Sequence, residues 1–144
     1  MKEQSYDIEH TAKVTGIALP VSFKQSVEVC SFIKNMYVNE AKKILERVIE
    51  KKMAVPFKRY KADLSHKKIV GPGRYPEKTS KVLVNLIDNA VANAQFKGLN
   101  TSKLFIKHIV ANKSGKGLHY GRKPGRKMKR TNIEIIVEEK VGEK

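Results

Sequence analysis

Residues Lys113 to Arg130 read KSGKGLHYGRKPGRKMKR, and no other stretch restricts the possible folds of the chain as strongly. It holds eight cations, Lys113, Lys116, Arg122, Lys123, Arg126, Lys127, Lys129 and Arg130, and no carboxylate. Four glycines and Pro124 deny it a helix, and Leu118, Tyr120 and Met128 are too little apolar surface to bury it. Like charges at this density repel one another unless anions lie among them, so the segment predicts a polyanion partner whose phosphates neutralise it. The rest of the chain must then fold as a platform that holds this arm out.

The distribution of charge supports that division. The chain carries 30 Lys plus Arg against 14 Asp plus Glu, a formal +16. Lys113 to Arg130 supplies +8, and Lys51 to Arg74 has eight cations against the single carboxylate Asp63, or +7. The other 102 residues hold 14 cations and 13 carboxylates, so the body is close to neutral. A length of 144 residues predicts one domain spanning 1–144, with a core that hides about 70% of the unfolded surface. The lone Cys30 leaves no internal disulfide and no multi-cysteine zinc site, and a reducing cytosol is its natural setting. No apolar run nears the roughly 20 residues of a membrane span, and the N-terminus lacks the apolar core of a signal peptide. The expectation is a soluble cytoplasmic protein with no membrane partner, no cofactor and no homo-oligomer.

Taken in order, residues 1–10 and 140–144 read as irregular tails. Thr11 to Leu19 is rich in β-branched and small residues and stops at Pro20, which predicts a strand, with Gly16 marking a bulge or close backbone approach. Ser22 followed by Gln25 predicts a capping box and a helix running to about Asn35 and Met36. Asn39 is expected to cap a second helix whose apolar side runs from Ala41 to Met53, packed against the first as a hairpin. Val55 to Pro76, with three prolines and two glycines among its cations, reads as a functional extended loop. Pro76 suits the first turn of a central helix with apolar residues from Thr79 to Ala94, closed by Gly98. Leu104 to Ala111 alternates, with Leu104, Ile106, His108 and Val110 on one side; Thr131, Ile133, Ile135 and Val137 alternate likewise. These two strands should pair antiparallel with the arm as their connection, and at roughly 3.3 Å per residue its legs would reach about 30 Å.

The chemistry of catalysis is missing from this pattern. His10, His66, His108 and His119 show no metal-ligand spacing, and Cys30 on an apolar face reads as a small hydrophobe. GPGRYP at 71–76 superficially resembles a phosphate loop but lacks its Lys-Ser/Thr pair. Lys and Arg among glycines can approach phosphates closely, and Tyr60, Tyr75 and Tyr120 can stack on unpaired bases. The basic residues lie on loops and not on a recognition helix, which favours folded RNA over reading of a DNA groove. The candidate RNA contacts are Lys13, Lys58, Arg59, Tyr60, Lys67, Lys68 and Arg74, together with Lys113, Lys116, His119, Tyr120, Arg122, Lys123, Arg126, Lys127, Lys129 and Arg130. A general nucleic-acid-compacting protein is the alternative, and an RNA-modifying enzyme would need the clustered acid, base or metal that the sequence scatters.

The run AKVTGIALPVSFKQSVEVCSFIKN, then VPFKRY, GPGRYP, NAVANAQFKGLN and TNIEIIVEE, closely resembles the universal large-subunit ribosomal protein twenty-two family in its archaeal and eukaryotic form. The resemblance covers about residues 11–139, and the motifs in this order are specific where any one alone is weak. It implies an α+β fold, with three helices packed on a small three-stranded antiparallel sheet and a long protruding basic β-hairpin. It also implies that the hairpin is the Lys113 to Arg130 arm, threading large-subunit ribosomal RNA to the wall of the peptide exit tunnel with Tyr120 to Lys127 nearest its tip. The body, with Lys58, Arg59, Tyr60 and Arg74, would lie near the tunnel opening. The implied partners are large-subunit ribosomal RNA, neighbouring ribosomal proteins and, at the tip, nascent peptide. The segment GRKPGRKMKRTN is shorter than the arginine-rich tip usual in this branch, so the resemblance does not say which side chain faces the lumen.

Overall fold

Alternating apolar residues in the last strand set the centre of the fold. The computed structural model describes residues 10–140, so the expected tails at 1–10 and 140–144 lie, apart from His10 and Lys140, outside the described residues. Strand β1 (Thr11–Leu19), helices α1 (Phe23–Ile33) and α2 (Val38–Ile49), short strands β2 (Val55–Pro56), β3 (His66–Lys67) and β4 (Gly71–Arg74), helix α3 (Glu77–Phe96), and strands β5 (Leu104–Lys113) and β6 (Thr131–Glu139) follow in order. β6 lies between β1 and β5, antiparallel to both. Ile133, Ile135 and Val137 of β6 are fully buried beneath α1, which packs on β5, and α3, which packs on β1 and β6. The architecture is the expected α+β arrangement of three helices on an antiparallel sheet.

Gly16 is where close approach decides the sequence. A Cβ there would lie 2.7 Å from Leu19 Cδ1 and 3.1 Å from Leu86 Cδ2, so a side chain would force these two leucine side chains to shift. The β1–β6 register shifts just after it, between Gly16 and Leu19, as a bulge requires. β1 is an outer strand of the sheet, and side chains of α3 and of the residue just past its end reach its carbonyls: Asn93 Nδ2 donates to Lys13 O at 3.0 Å and Lys97 Nζ to Thr11 O at 2.8 Å.

Several sequence expectations are corrected. Ser22 precedes α1 but its side chain makes no capping bond; its carbonyl instead accepts from the Ser26 backbone N–H at 2.9 Å and from Ser26 Oγ at 3.0 Å. α1 stops at Ile33 because Lys34 is extended and Asn35 is left-handed, with φ +61°. The chain then lies along β5: Asn35 N–H donates to Ile106 O at 3.1 Å and Ile106 N–H to Met36 O at 2.9 Å. That docking draws α1 and α2 apart, so α2 packs on α3 and the helices form no hairpin. Tyr37, not Asn39, precedes the first residue of α2, and Met53 lies past its end. Pro76 sits one residue before α3 and not in its first turn.

The alternation in β5 also changes phase. A register shift between Ile106 and His108 makes Lys107 an extra residue, so the buried set is Leu104, Ile106, Ile109 and Ala111. His108 and Val110 thereby turn to the other face of the sheet, opposite Ile136 and Glu134. At the end of α3 the expected glycine stop is present: Gly98, φ +77°, donates to Gln95 O at 2.9 Å and Leu99 N–H to Ala94 O at 3.0 Å. These are the two bonds of a Schellman motif, with Leu99 buried against the core.

Candidate nucleic-acid interface

The second basic segment is folded more than its composition suggests. It forms a miniature antiparallel sheet and not an irregular loop: β2 pairs with β4, and β4 with β3. Strands of two to four residues give no readable period, but Phe57 supplies the missing anchorage. Its ring is buried and its N–H donates to Pro72 O at 2.9 Å. Burial of one such side chain contributes roughly 1.5–3 kcal/mol.

Beyond Phe57 the chain turns outward, and a carboxylate holds the turn. Glu28 of α1 is 4% exposed. Its Oε1 accepts from the backbone N–H groups of Arg59 at 2.9 Å and Tyr60 at 2.7 Å, and its Oε2 from that of Lys58 at 3.1 Å. Three consecutive amides on one anion form a charge-assisted cradle. With the backbone fixed, the side chains of Lys58 and Arg59 point into solvent. Tyr60 meets Phe23 edge to face at 6.0 Å, and Lys24 Nζ and the Arg59 guanidinium lie 5.9 and 5.6 Å from the Tyr60 ring centre. The ring is therefore a support for cations and offers less free face for a base. Tyr75 is engaged in the same way by Lys67 at 5.8 Å.

The arm is secured at its root and sparsely along its legs. Thr131 Oγ1 donates to Val21 O at 3.1 Å, and Ala18 N–H to Asn132 Oδ1 at 2.8 Å. Arg130 Nη1 donates to Ala18 O at 3.0 Å, fixing a non-glycine residue at φ +51°. Above this, Ser114 N–H meets Arg130 O at 3.3 Å, Met128 N–H meets Gly117 O at 2.8 Å and His119 N–H meets Arg126 O at 2.8 Å. The tip is a turn closed by Arg126 N–H to Lys123 O at 3.3 Å, with Pro124 and Gly125 at its centre. Every residue from Gly115 to Lys127 is exposed, Tyr120 at 97%.

Charge is uncompensated where the segments face solvent. Among the described residues, no cation from Lys113 to Arg130 has a carboxylate within ion-pair distance, nor do Lys58, Arg59, Lys67, Lys68 or Arg74. Lys51 and Lys52 are paired, with Glu77 at 3.1 Å and Glu50 at 2.7 Å. Lys13 stands apart from the other candidates: it pairs with Glu134 at 2.5 Å on the side of the sheet away from the core. Arg130 likewise serves the fold through Ala18. His119, Arg126, Lys127, Lys129 and Arg130 line an open cleft of about 300 Å³ with Pro20 and Lys78, which brings the arm against the segment before α1 and the first turn of α3.

Sequence reasoning missed Phe23, Lys24, Glu28 and Lys78. Glu28 alone left a trace: it is the single carboxylate between Ser22 and Met36, flanked by Val27 and Val29. The others are ordinary surface or apolar residues until the fold assembles them. Cys30 is buried, which pushes its thiol up to about 12 and keeps it protonated. Among the described residues no group of three or more His, Cys, Asp or Glu could hold a metal ion, and no helix is long and apolar enough to cross a membrane.

Comparison with known proteins agrees with this geometry. The profile of the family described as Ribosomal protein L22p/L17e matches residues 14–138. The chain is 40% identical to the large ribosomal subunit protein uL22 of Thermoplasma volcanium, over 96% of this chain and 98% of that one. It is 42% identical to the protein of the same name from Thermoplasma acidophilum, over 96% of each chain, and 37% identical to that of Methanopyrus kandleri, over 95% and 92%. A match that runs from β1 through both basic segments to the end of β6 leaves one conclusion: this chain belongs to the ribosomal protein L22p/L17e family.

Proposed function

We propose that the chain is a non-catalytic constituent of the large ribosomal subunit that binds large-subunit ribosomal RNA through its two basic segments. The observation that carries this reading is the uncompensated charge: thirteen cations among Lys58, Arg59, Lys67, Lys68, Arg74 and the eight of the arm have no carboxylate partner among the described residues. Ribose-phosphate is the anion that would supply it. The relatives' shared name, large ribosomal subunit protein, supports the same assignment.

In this reading the body rests on the subunit surface near the opening of the exit tunnel, beside neighbouring ribosomal proteins. The arm, with a reach of about 30 Å, threads between RNA helices toward the tunnel wall, where its tip would meet nascent peptide. Tyr120, fully out in solvent, is free to stack on an unpaired base. Insertion of the arm during assembly orders a segment that carries few bonds of its own.

Sedimentation tests the assignment. The protein should travel with large subunits and remain bound through a high-salt wash, and in competition it should prefer ribosomal transcripts to duplex DNA. Equal binding of both would instead support a general nucleic-acid-compacting protein.

A further inference from the structure

The two basic segments, separated by nearly forty residues in sequence, meet at the start of α1. Phe23 is the junction: Tyr60 of the second segment packs on its ring at 6.0 Å, and Lys113 Nζ at the root of the arm lies 5.5 Å from its centre. Lys24 and Arg59 stand on the Tyr60 ring at 5.9 and 5.6 Å. Three cations from three elements are thus arranged around two touching rings, and beneath them Glu28 grips the backbone of the turn that bears Arg59 and Tyr60.

We infer that Lys24, Arg59 and Lys113 form one preorganised phosphate-binding site for an RNA backbone, and that Glu28 is its positioning residue. The site presupposes the RNA reading above and adds a place on the surface where binding begins. Long cationic side chains ordinarily lose rotamer freedom when they bind. Here the rings restrict that freedom beforehand, and the Glu28 cradle keeps the Tyr60 ring in place. Neither Phe23, Lys24 nor Glu28 is basic-segment sequence, yet each is needed for the geometry.

The role of Glu28 can be separated from simple electrostatics because the two predict opposite signs. A carboxylate under a cationic patch repels phosphate, so on charge alone Glu28→Gln should tighten RNA binding. If the carboxylate positions the site, the same substitution weakens it, by about tenfold from freeing two or three side chains. The salt dependence should meanwhile stay as in the wild type, since every cation is still present.

The experiment is a titration of the full-length chain with a large-subunit ribosomal RNA transcript at several salt concentrations, with folding checked by amide spectra. Weaker binding by Glu28→Gln at an unchanged salt slope supports the site; equal or tighter binding by the folded variant overturns it. Tyr60→Leu offers the same test without touching Glu28, removing the ring and keeping all charges. It should bind several-fold more weakly at the same slope, and wild-type affinity would overturn the site even if Glu28→Gln failed to fold. Lys24→Gln should lower the slope by about 0.7–0.9, whereas Lys43→Gln, on exposed α2 surface, should not. Equal slopes for those two variants would again overturn it. A wild-type chain that ignored the transcript altogether would instead remove the RNA reading on which the site depends.

Discussion

The two basic segments carry nearly equal surplus charge, +8 and +7, and are held in opposite ways. The +7 segment, Lys51 to Arg74, is tied to the body by a buried aromatic ring, a miniature sheet and a carboxylate that accepts three backbone N–H groups. Residues 115–127 are exposed throughout, and their two legs are joined by few hydrogen bonds. In the proposed RNA-binding reading, one segment would be ready before RNA arrives and the other would be ordered by it. The difference suggests a sequence of events in which the preformed patch docks first and the arm then follows into RNA. Neutral charge in the body fits that order, because it leaves the two segments as the only strong attraction for phosphate.

The largest effect should come from the arm. Replacing Arg122, Lys123, Arg126 and Lys127 with glutamine should lower the salt slope of RNA binding by about three, and affinity at 0.1 M salt by roughly a thousandfold. The thermal midpoint should not move, because none of these four side chains belongs to the buried core or, among the described residues, to an ion pair. An unchanged slope, or a lower midpoint, would break the division between a folding body and a binding arm.

Amide exchange on the free protein reads the same contrast residue by residue. The amides of Lys58, Arg59 and Tyr60, bonded to a buried carboxylate, should exchange on the order of a hundredfold more slowly than those of Lys116, Tyr120 and Arg122. Strong protection from Gly115 to Lys127 without RNA would show that the arm orders itself. Stability gives the third comparison. Glu28→Ala leaves three backbone donors without their acceptor and should cost about 2 kcal/mol in denaturant unfolding. No single alanine substitution from Lys116 to Lys127 should approach that figure; one that did would mean the arm contributes to the fold.

How far sequence reached into this contrast depends on the kind of signal. The three helices and the long strands were legible because apolar residues repeat at 3.6 or at 2 over many residues, as from Val82 to Ala94 and from Thr131 to Val137. The β5 phase was not, because the bulge at Lys107 is one extra residue with no compositional mark. The separation of α1 from α2 depends on Asn35 in a left-handed conformation and on a backbone exchange with Ile106, both tertiary facts. The charge of both basic segments was legible, while the cradle that distinguishes them was not: Glu28 lies some thirty residues from the turn it holds.

The smallest effect is the one that tests where the arm stops being arm. Composition places Arg130 with the arm's other cations, yet its guanidinium donates to Ala18 O at 3.0 Å and lies 3.8 Å from Met128 Sδ. Asn132 and Thr131 make companion bonds to Ala18 and Val21, so this is a fastening between β1 and β6 at the root of the hairpin. Arg130→Gln should therefore show the reverse of the tip substitutions. Stability should fall by about 1 kcal/mol, since one charged hydrogen bond to a carbonyl is lost while the Asn132 and Thr131 bonds remain. The salt slope should change by clearly less than the 0.7–0.9 expected for Arg126→Gln, because a guanidinium committed to the backbone has less freedom to replace a counterion. If Arg130→Gln left unfolding unchanged and reduced the slope as much as Arg126→Gln, the boundary between anchored root and free arm would have to move inward, to Thr131.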